Sequence, residues 1–199
     1  MSAVASKAHN QPDWDGLFAA AQAQSGYFTT AQAAQSGYSR PLLHKYLATG
    51  KVARVRRGVY RVVHFPASEH EDLIVLWLWA EQAGVFSHET ALALHDLSDA
   101  LAGKVHLTVP LSWRRRRLRV PAGLVLHFAD VGDVDRASYS AVPVTAPLRT
   151  LRDCIEAHVA ADLVRQGILQ ARRRGFVSAK DEARLLAELG RQGRTVAAF

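Results

Sequence analysis

The stretch YSRPLLHKYLATGKVARVRRGVYR, residues 38–61, decides the fold that the sequence predicts. Its first part is typical of a short helix, because Ser39 is a good N-cap and Pro41 falls in the first turn, where a missing N–H costs little. Gly50 then supplies a C-terminal stop. Helical spacing divides this segment into an apolar face (Leu42, Leu43, Tyr46, Leu47) and a face free to touch a partner (Arg40, Pro41, His44, Lys45, Ala48).

Two short basic segments follow this helix. Residues 52–56 and 59–63 are rich in β-branched side chains and are joined through Arg57 and Gly58, which favours a tight hairpin. A helix followed by a basic hairpin is the order of a winged helix-turn-helix. The hairpin would be its wing.

The preceding residues supply the rest of such a unit. Residues 14–24 show helical spacing of apolar residues, and Ser25 and Gly26 end the pattern. Thr29 and Gln32 then form a capping-box pattern that opens a short helix. Two short helices joined by a Gly-containing turn are the helix-turn-helix unit, although an ordinary helical hairpin in a small bundle shows the same pattern.

Charge is concentrated in the same region. Residues 1–65 hold eight Lys and Arg against two acidic residues, and no Asp or Glu occurs between Asp15 and Glu69. Such a segment lacks the carboxylates that would repel a phosphate backbone. We therefore expect double-stranded DNA to be bound by Ser39, Arg40, His44, Lys45, Lys51, Arg54, Arg56, Arg57 and Arg61.

These residues divide into two expected roles. Arg40, His44 and Lys45 would face the major groove and read sequence, whereas the arginines of the hairpin would hold phosphates or reach a minor groove. A regulator whose basic head docks an acidic protein partner is the alternative interpretation.

Composition narrows the class of protein. The chain has 199 residues, 49% of them apolar, and a single cysteine, Cys154, which we expect in the core. One cysteine excludes a disulfide framework and indicates a reducing cytoplasm. The most apolar window, residues 73–79, is far shorter than the roughly 20 residues that span a bilayer, so no membrane association is expected. No cofactor is expected either.

The sequence predicts an α+β protein with a disordered tail at residues 1–12, a winged helix-turn-helix domain at 13–65 and an α/β domain at 66–199. The second domain would combine a small mixed sheet with flanking helices. Predicted helices lie at 71–82, following a capping box of Ser68 and Glu71, and at 87–96, 145–153, 160–173 and 178–189. Predicted strands lie at 105–109, 124–128 and, as a short edge strand, 142–144.

An arginine cluster lies between two of these strands. Trp113 precedes four consecutive arginines, Arg114, Arg115, Arg116 and Arg117. Two interpretations remain open: a second contact with nucleic acid or an acidic partner, and a solvated hairpin tip.

Other charged side chains raise the question of an enzyme. Asp130, Asp133 and Asp135 follow a strand. Three carboxylates there are an arrangement that can bind a divalent metal, as in a nuclease, but no calcium-loop pattern or partnering Glu/Lys set accompanies them. His88 and Glu89 begin a zinc-protease motif that Leu92 interrupts, so no metal site is expected, including at His95. We predict no enzyme activity. Arg149 and Asp153, four apart on one helical face, would form a local ion pair or anchor something more buried.

Four segments together resemble one family, the AbiEi-type antitoxins of type IV toxin–antitoxin systems. They are GKVARVRRGVY at residues 50–60, SHETALALHDL at 87–97, HLTVP at 106–110 and VTAPLRTLRD at 144–153. Each segment alone is a weak signal, and their order along the chain makes the resemblance fairly specific.

The resemblance implies a repressor that binds operator repeats upstream of its own operon, with possible cooperative self-association on DNA. Its C-terminal domain would help to neutralise a nucleotidyltransferase-like toxin, functionally and not necessarily as a stable complex. A stand-alone winged-helix regulator without a toxin partner is the alternative.

Overall fold

The computed structural model describes residues 11–99 and 103–196, with side chains given up to Arg191. The predicted tail at residues 1–12 lies almost entirely outside the described residues. The chain divides into two compact units, residues 1–82 and 83–199. Among the described helices, none is both long and apolar enough to cross a bilayer.

The first unit contains four helices and three strands among its described residues. In chain order they are α1 (Trp14–Gln22), β1 (Tyr27–Thr29), α2 (Thr30–Gln35), α3 (Arg40–Ala48), β2 (Val52–Arg56), β3 (Val59–Val62) and α4 (Glu71–Trp79). The helix-turn-helix and the wing are thus present in the predicted order.

The predicted caps of α2 and α3 are confirmed. The hydroxyl of Thr29 accepts a hydrogen bond from the Gln32 N–H, and the Gln32 side chain accepts one from the Thr29 N–H, which completes the capping box. Ser39 caps α3 by accepting from the Leu42 N–H. These bonds satisfy N–H groups that lack partners in the first turn of a helix.

The three strands form one antiparallel sheet with β3 in the centre, flanked by β1 and β2. Strand β1, which is only three residues long, was not predicted from the sequence. Leu17, Phe28, Leu43 and Val62 belong to the buried core between this sheet and the helices. The core therefore holds α3 and the wing to the same small framework.

The first compact unit extends to Gln82 and includes α4, whereas the sequence placed a domain boundary at residues 65/66. Helix α4 begins at Glu71, and the hydroxyl of Ser68 has no hydrogen-bond partner. Only half of the predicted capping box is present, namely the bond from the Ser68 N–H to Glu71 at 3.1 Å. The prediction of the other bond of the box, which the Ser68 hydroxyl would accept, was wrong.

The second unit contains a sheet and four helices among its described residues. In chain order they are β4 (Val85–Phe86), α5 (His88–Leu94), β5 (Val105–Val109), β6 (Leu124–Phe128), β7 (Arg136–Tyr139), β8 (Val142–Thr145), α6 (Pro147–Glu156), α7 (Ala161–Arg173) and α8 (Ala179–Val196). The α+β prediction, with a small mixed sheet and flanking helices, is confirmed.

The sheet runs in the order β6-β5-β4-β8-β7. Strands β5 and β6 are parallel, so the arginine cluster between them lies in a crossover connection and not at a hairpin tip. Strand β8 is an interior strand, because β7 covers its outer side. The interpretation of the cluster as a hairpin tip and the prediction of an edge strand were therefore wrong. Pro143 is tolerated inside the sheet because β4 is so short that it pairs with β8 only at Val144.

The core of the second unit lies between the helices. Leu92, Leu151, Cys154, Ile168 and Leu185 are fully or almost fully buried there. Cys154 is a free thiol whose pKa is raised by burial, as expected for a core cysteine.

Candidate nucleic-acid interface

A groove of about 490 Å³ lies between α3 and the wing. Helix α3 contributes Arg40 and His44, and the wing contributes Arg54 and Arg57. Apolar and neutral side chains complete its lining: Thr30, Leu43, Leu47 and Tyr60. The structure thus brings four of the nine predicted DNA contacts together in one concave surface.

The groove is positively charged. Its lining comes from residues 30–60, a segment without any Asp or Glu. Three guanidinium groups therefore lie around one depression with no carboxylate from the same segment to neutralise them. Such an arrangement attracts a polyanion.

Packing determines which face of α3 is available. Leu43 is buried in the core of the first unit, whereas Arg40, His44 and Lys45 are exposed. The helix begins at the Ser39 cap, so its first turn is well defined. The cationic face of α3 is thus held outward by the burial of the opposite face.

The wing turns at Gly58, whose φ of +82° lies in the left-handed region that favours glycine. A bulge between Arg54 and Arg56 shifts the register of β2 against β3. A bulge rotates side chains relative to a regular strand. Arg54 and Arg57 are exposed and line the groove, whereas Arg56 is half-buried.

Other predicted contacts lie beside the groove. Ser39, Lys45 and Lys51 are exposed on the same unit. The ammonium group of Lys51 lies 5.1 Å from the centre of the Tyr46 ring, a cation–π distance. These residues extend the basic surface without lining the groove.

Arg61 is placed differently from the other wing arginines. Its Nη2 lies 3.1 Å from Glu71 Oε1 and donates to the Phe65 carbonyl at 3.0 Å. The guanidinium group also lies over the ring of Tyr27, and the side chain is half-buried. Arg61 is thus held by the interior contacts of its own unit, and we leave it out of the proposed interface.

The arginine cluster of the second unit begins inside a short 3₁₀ helix, Leu111–Arg115, whose last two residues are Arg114 and Arg115. The Arg116 guanidinium lies 3.9 Å from the centre of the Trp113 ring, close enough for stacking. Arg114 lines a polar cleft of about 400 Å³ together with His88, His127, Arg149 and Asp153. Arg115 and Arg117 are exposed.

The three aspartates that suggested a nuclease are used differently. Asp130 accepts a hydrogen bond from the Leu111 N–H, and Asp135 accepts one from Arg149 at 2.9 Å. Asp133 is exposed. Among the described residues, these carboxylates do not form a group that could hold a metal ion.

Arg149 joins two carboxylates. Besides Asp135, its Nε donates to Asp153 Oδ1 at 2.7 Å. Asp153 is buried and its Oδ2 has no hydrogen-bond partner. Burial raises the pKa of Asp153 although Arg149 opposes the shift. The local ion pair that the sequence predicted is therefore present, and Arg149 also ties the buried Asp153 to Asp135 outside the helix.

Three histidines that the sequence did not group, His88, His106 and His127, have ring nitrogens within 4.8 Å of one another, although no metal site was expected at His88. The three are far apart in sequence and are brought together by the parallel register of β5 and β6 and by the start of α5. A search for histidines at alternate positions of neighbouring strands would have found two of them. These residues could hold a metal ion.

Comparison with known proteins agrees with the N-terminal motifs. Residues 17–63 match the family described as "Transcriptional regulator, AbiEi antitoxin". No curated protein matches the chain. Among solved structures, the chain is similar to the RV2827C protein from Mycobacterium tuberculosis, with a TM-score of 0.42 and 12% sequence identity over 86% of this chain and 79% of that one. A likeness at this level does not establish a shared function.

The matched residues contain most of α1, the helix-turn-helix and the whole wing. The family is one of transcriptional regulators and not a class of enzymes. Residues 17–63 are therefore similar to the domain of the AbiEi antitoxin-type transcriptional regulators, in agreement with the resemblance of the wing segment.

Proposed function

We propose that this protein binds double-stranded DNA through the groove between α3 and the wing and represses transcription of its own operon. The observation that carries the proposal is the convergence of Arg40, Arg54 and Arg57 on one groove in an acid-free segment. The family match at residues 17–63 supports the same function.

In the proposed complex, the exposed face of α3 enters the major groove. Arg40 and His44 meet base edges there, because side chains near the start of a recognition helix approach the bases most closely. Arg54 and Arg57 of the wing hold phosphates or reach the adjacent minor groove. Lys45 faces the major groove as well, while Ser39 and Lys51 add contacts to the DNA backbone, which position the protein without reading sequence.

We further propose that the protein is the antitoxin of a type IV toxin–antitoxin system in the cytoplasm. The motif resemblance beyond residue 63 supports this finer assignment, with the second unit countering a nucleotidyltransferase-like toxin. Antagonism does not require a stable complex. Cooperative self-association on repeated operator sites would make repression rise more steeply as the protein concentration increases.

Trp113 and the neighbouring arginines are proposed as a second contact surface in the second unit. The stacking of Arg116 on Trp113 supports this role, because it presents a planar aromatic and a cation together. A nuclease function finds little support, since Asp130 and Asp135 already accept hydrogen bonds from the protein.

A reporter assay tests the regulatory half of the proposal. The region upstream of the gene is placed before a reporter, and repression is compared between wild type and an Arg54→Ala/Arg57→Ala double variant. We expect wild type to repress and the double variant to lose most repression. Full repression by the double variant would favour the alternative in which the protein acts through an acidic protein partner.

Co-expression with the neighbouring gene tests the antitoxin half. If that gene encodes a nucleotidyltransferase-like toxin, wild type should restore growth that the toxin alone arrests. Repression of the reporter without any growth rescue would instead identify a stand-alone regulator.

A further inference from the structure

The second unit contains a cluster of imidazoles at one edge of its sheet. His88 lies at the start of α5, His106 in β5 and His127 in β6. His106 Nδ1 lies 3.0 Å from His127 Nε2, and the His88 ring lies 3.5 Å, centre to centre, from that of His127. One nitrogen from each ring falls within 4.8 Å of the other two.

From this geometry we propose that His88, His106 and His127 bind a transition-metal dication of the Zn²⁺ class. The donors would be three imidazole nitrogens, with the fourth position open. Three histidines and an open position are a known tetrahedral arrangement for Zn²⁺. Mg²⁺ and Ca²⁺ prefer oxygen ligands, which this set does not supply.

Neighbouring residues orient two of the rings. Glu89 Oε2 lies 3.2 Å from His106 Nε2 and accepts a hydrogen bond from it, so Nδ1 is the nitrogen of that ring that would bind the metal. Ser87 Oγ lies 2.8 Å from His88 Nδ1 and accepts a hydrogen bond from Thr108. Metal-binding histidines are usually held in this way through their second nitrogen, and a carboxylate in that place raises the basicity of the ligand.

The spacing of the donors is close to what an ion requires. Two nitrogens on a tetrahedral Zn²⁺ are about 3.4 Å apart, given bonds of about 2.05 Å. The His106–His127 pair is already near this spacing, and the widest pair must close by no more than about 1.4 Å. Because the rings of His88 and His127 are stacked, one of them turns about its Cβ–Cγ bond when both donate.

The protonation of the imidazole rings also bears on metal binding. Burial and the neighbouring imidazoles lower the pKa of His88 to about 3, and burial with His106 lowers that of His127 to about 4. The neutral imidazole is the form that binds metals. When a metal ion binds to these rings, it takes the place of the hydrogen bond between His106 Nδ1 and His127 Nε2.

Two further features distinguish this cluster from ordinary packing. His88 is buried and has a φ of +54°, a left-handed conformation that a non-glycine residue adopts at a cost. His88 and His127 also line the 400 Å³ cleft, which provides an entry path for the ion. A bound ion would tie α5 to β5 and β6.

Metal titration of the purified full chain tests the proposal. The protein is dialysed against a chelator, the chelator is removed, and Zn²⁺ is added in a calorimeter. We expect one high-affinity ion per chain, a rise in the melting temperature, and, with Co²⁺ as the probe, the intense visible absorption of tetrahedral coordination. Wild type that binds no stoichiometric ion would overturn the proposal, whatever the variants do.

Variants assign the site to its residues. His106→Ala and His127→Gln each remove a proposed ligand and should weaken Zn²⁺ binding at least about 100-fold. Loss of a residue that only hydrogen-bonds to a ligand costs about 10- to 100-fold, and loss of the ligand itself should cost no less. Glu89→Gln should weaken it by about 10-fold through His106. The matched control is His158→Asn, because His158 is exposed and Asn tolerates its positive φ.

The control should bind Zn²⁺ as wild type does. Circular dichroism of each chelated variant separates loss of the site from loss of the fold. Binding that survives unchanged in both folded His106→Ala and His127→Gln would show that the ion is held elsewhere and would contradict the assignment.

Discussion

The Nη2 atom of Arg61 lies 3.1 Å from Oε1 of Glu71, and this ion pair joins the central strand of the first sheet to the start of α4. Both side chains are less than one-third exposed. Tyr27 completes the group, since its hydroxyl donates to Glu71 at 2.8 Å and its ring lies under the Arg61 guanidinium. The pair explains why one arginine of the wing differs from the others.

Replacing Arg61 should affect stability more than DNA binding. Arg61→Ala removes the ion pair and the bond to the Phe65 carbonyl, which we expect to lower the free energy of unfolding by about 1–3 kcal/mol. Urea denaturation measures this change. The salt dependence of DNA binding by the folded variant should remain that of wild type. A flatter salt dependence, equal to that of Arg57→Ala, would return Arg61 to the DNA interface.

Glu71 makes the stability of the first unit depend on pH. The Tyr27 hydroxyl, then the Ser68 N–H and Arg61, hold the pKa of Glu71 below its usual 4.5. A carboxyl group with a lowered pKa stabilises the folded state above its unfolded pKa, and this contribution is lost as pH falls through the folded value. Denaturation of wild type and Glu71→Gln should therefore differ at pH 7 and converge below pH 4.5.

The matched control for that series is Glu69→Gln, because Glu69 is exposed and lies two residues earlier. Its unfolding curve should follow wild type across the whole pH range. A constant difference between wild type and Glu71→Gln from neutral to acidic pH would show that the charge of Glu71 contributes nothing.

Arg149 should be important for the stability of the second unit. The side chain of Asp153 is only 7% exposed, and Arg149→Met would leave this buried carboxylate without its cation. Breaking a buried pair costs about 3–5 kcal/mol, far more than a surface pair on a helix. Thermal unfolding should show a large drop for Arg149→Met and partial recovery in Arg149→Met/Asp153→Leu. A double variant that is less stable than the single one would contradict this account.

The sequence predicted the elements whose signals are local. Ser39 and Thr29 gave helix starts because capping depends on residues only three positions away, and Gly58 gave the turn of the wing. Strands β5 and β6 were predicted with their observed bounds, because each is a continuous run of mainly apolar residues.

The missed features depend on contacts between distant residues. Strand β1 has three residues and β4 has two, too few for any alternation to be recognised, and each pairs with a strand that is distant in sequence. The histidine cluster needs the parallel register that pairs His127 with Thr108, because Thr108 lies two residues from His106 on the same face of β5. The ion pair of Arg61 needs α4 to pack on the first sheet, so the sequence grouped Arg61 with the exposed arginines.

Helix α3 and the wing should contribute differently to DNA recognition. Arg40→Ala should change which sequence is preferred, because its side chain lies near the start of the proposed recognition helix and reaches base edges. Arg57→Ala should weaken binding to cognate and random DNA alike, because a phosphate contact carries no sequence information. Competition between the two duplexes measures the ratio. Equal loss on both duplexes in both variants would contradict this division.

The central claim is that the groove between α3 and the wing binds duplex DNA, and the salt dependence of binding to the upstream region tests it most directly. If about five phosphates are neutralised, fluorescence anisotropy should give a slope of log affinity against log salt of roughly −4 to −5 for wild type. Arg57→Ala should reduce its magnitude by about 1. The absence of binding by wild type at low salt, or an unchanged slope in Arg57→Ala, would contradict the claim.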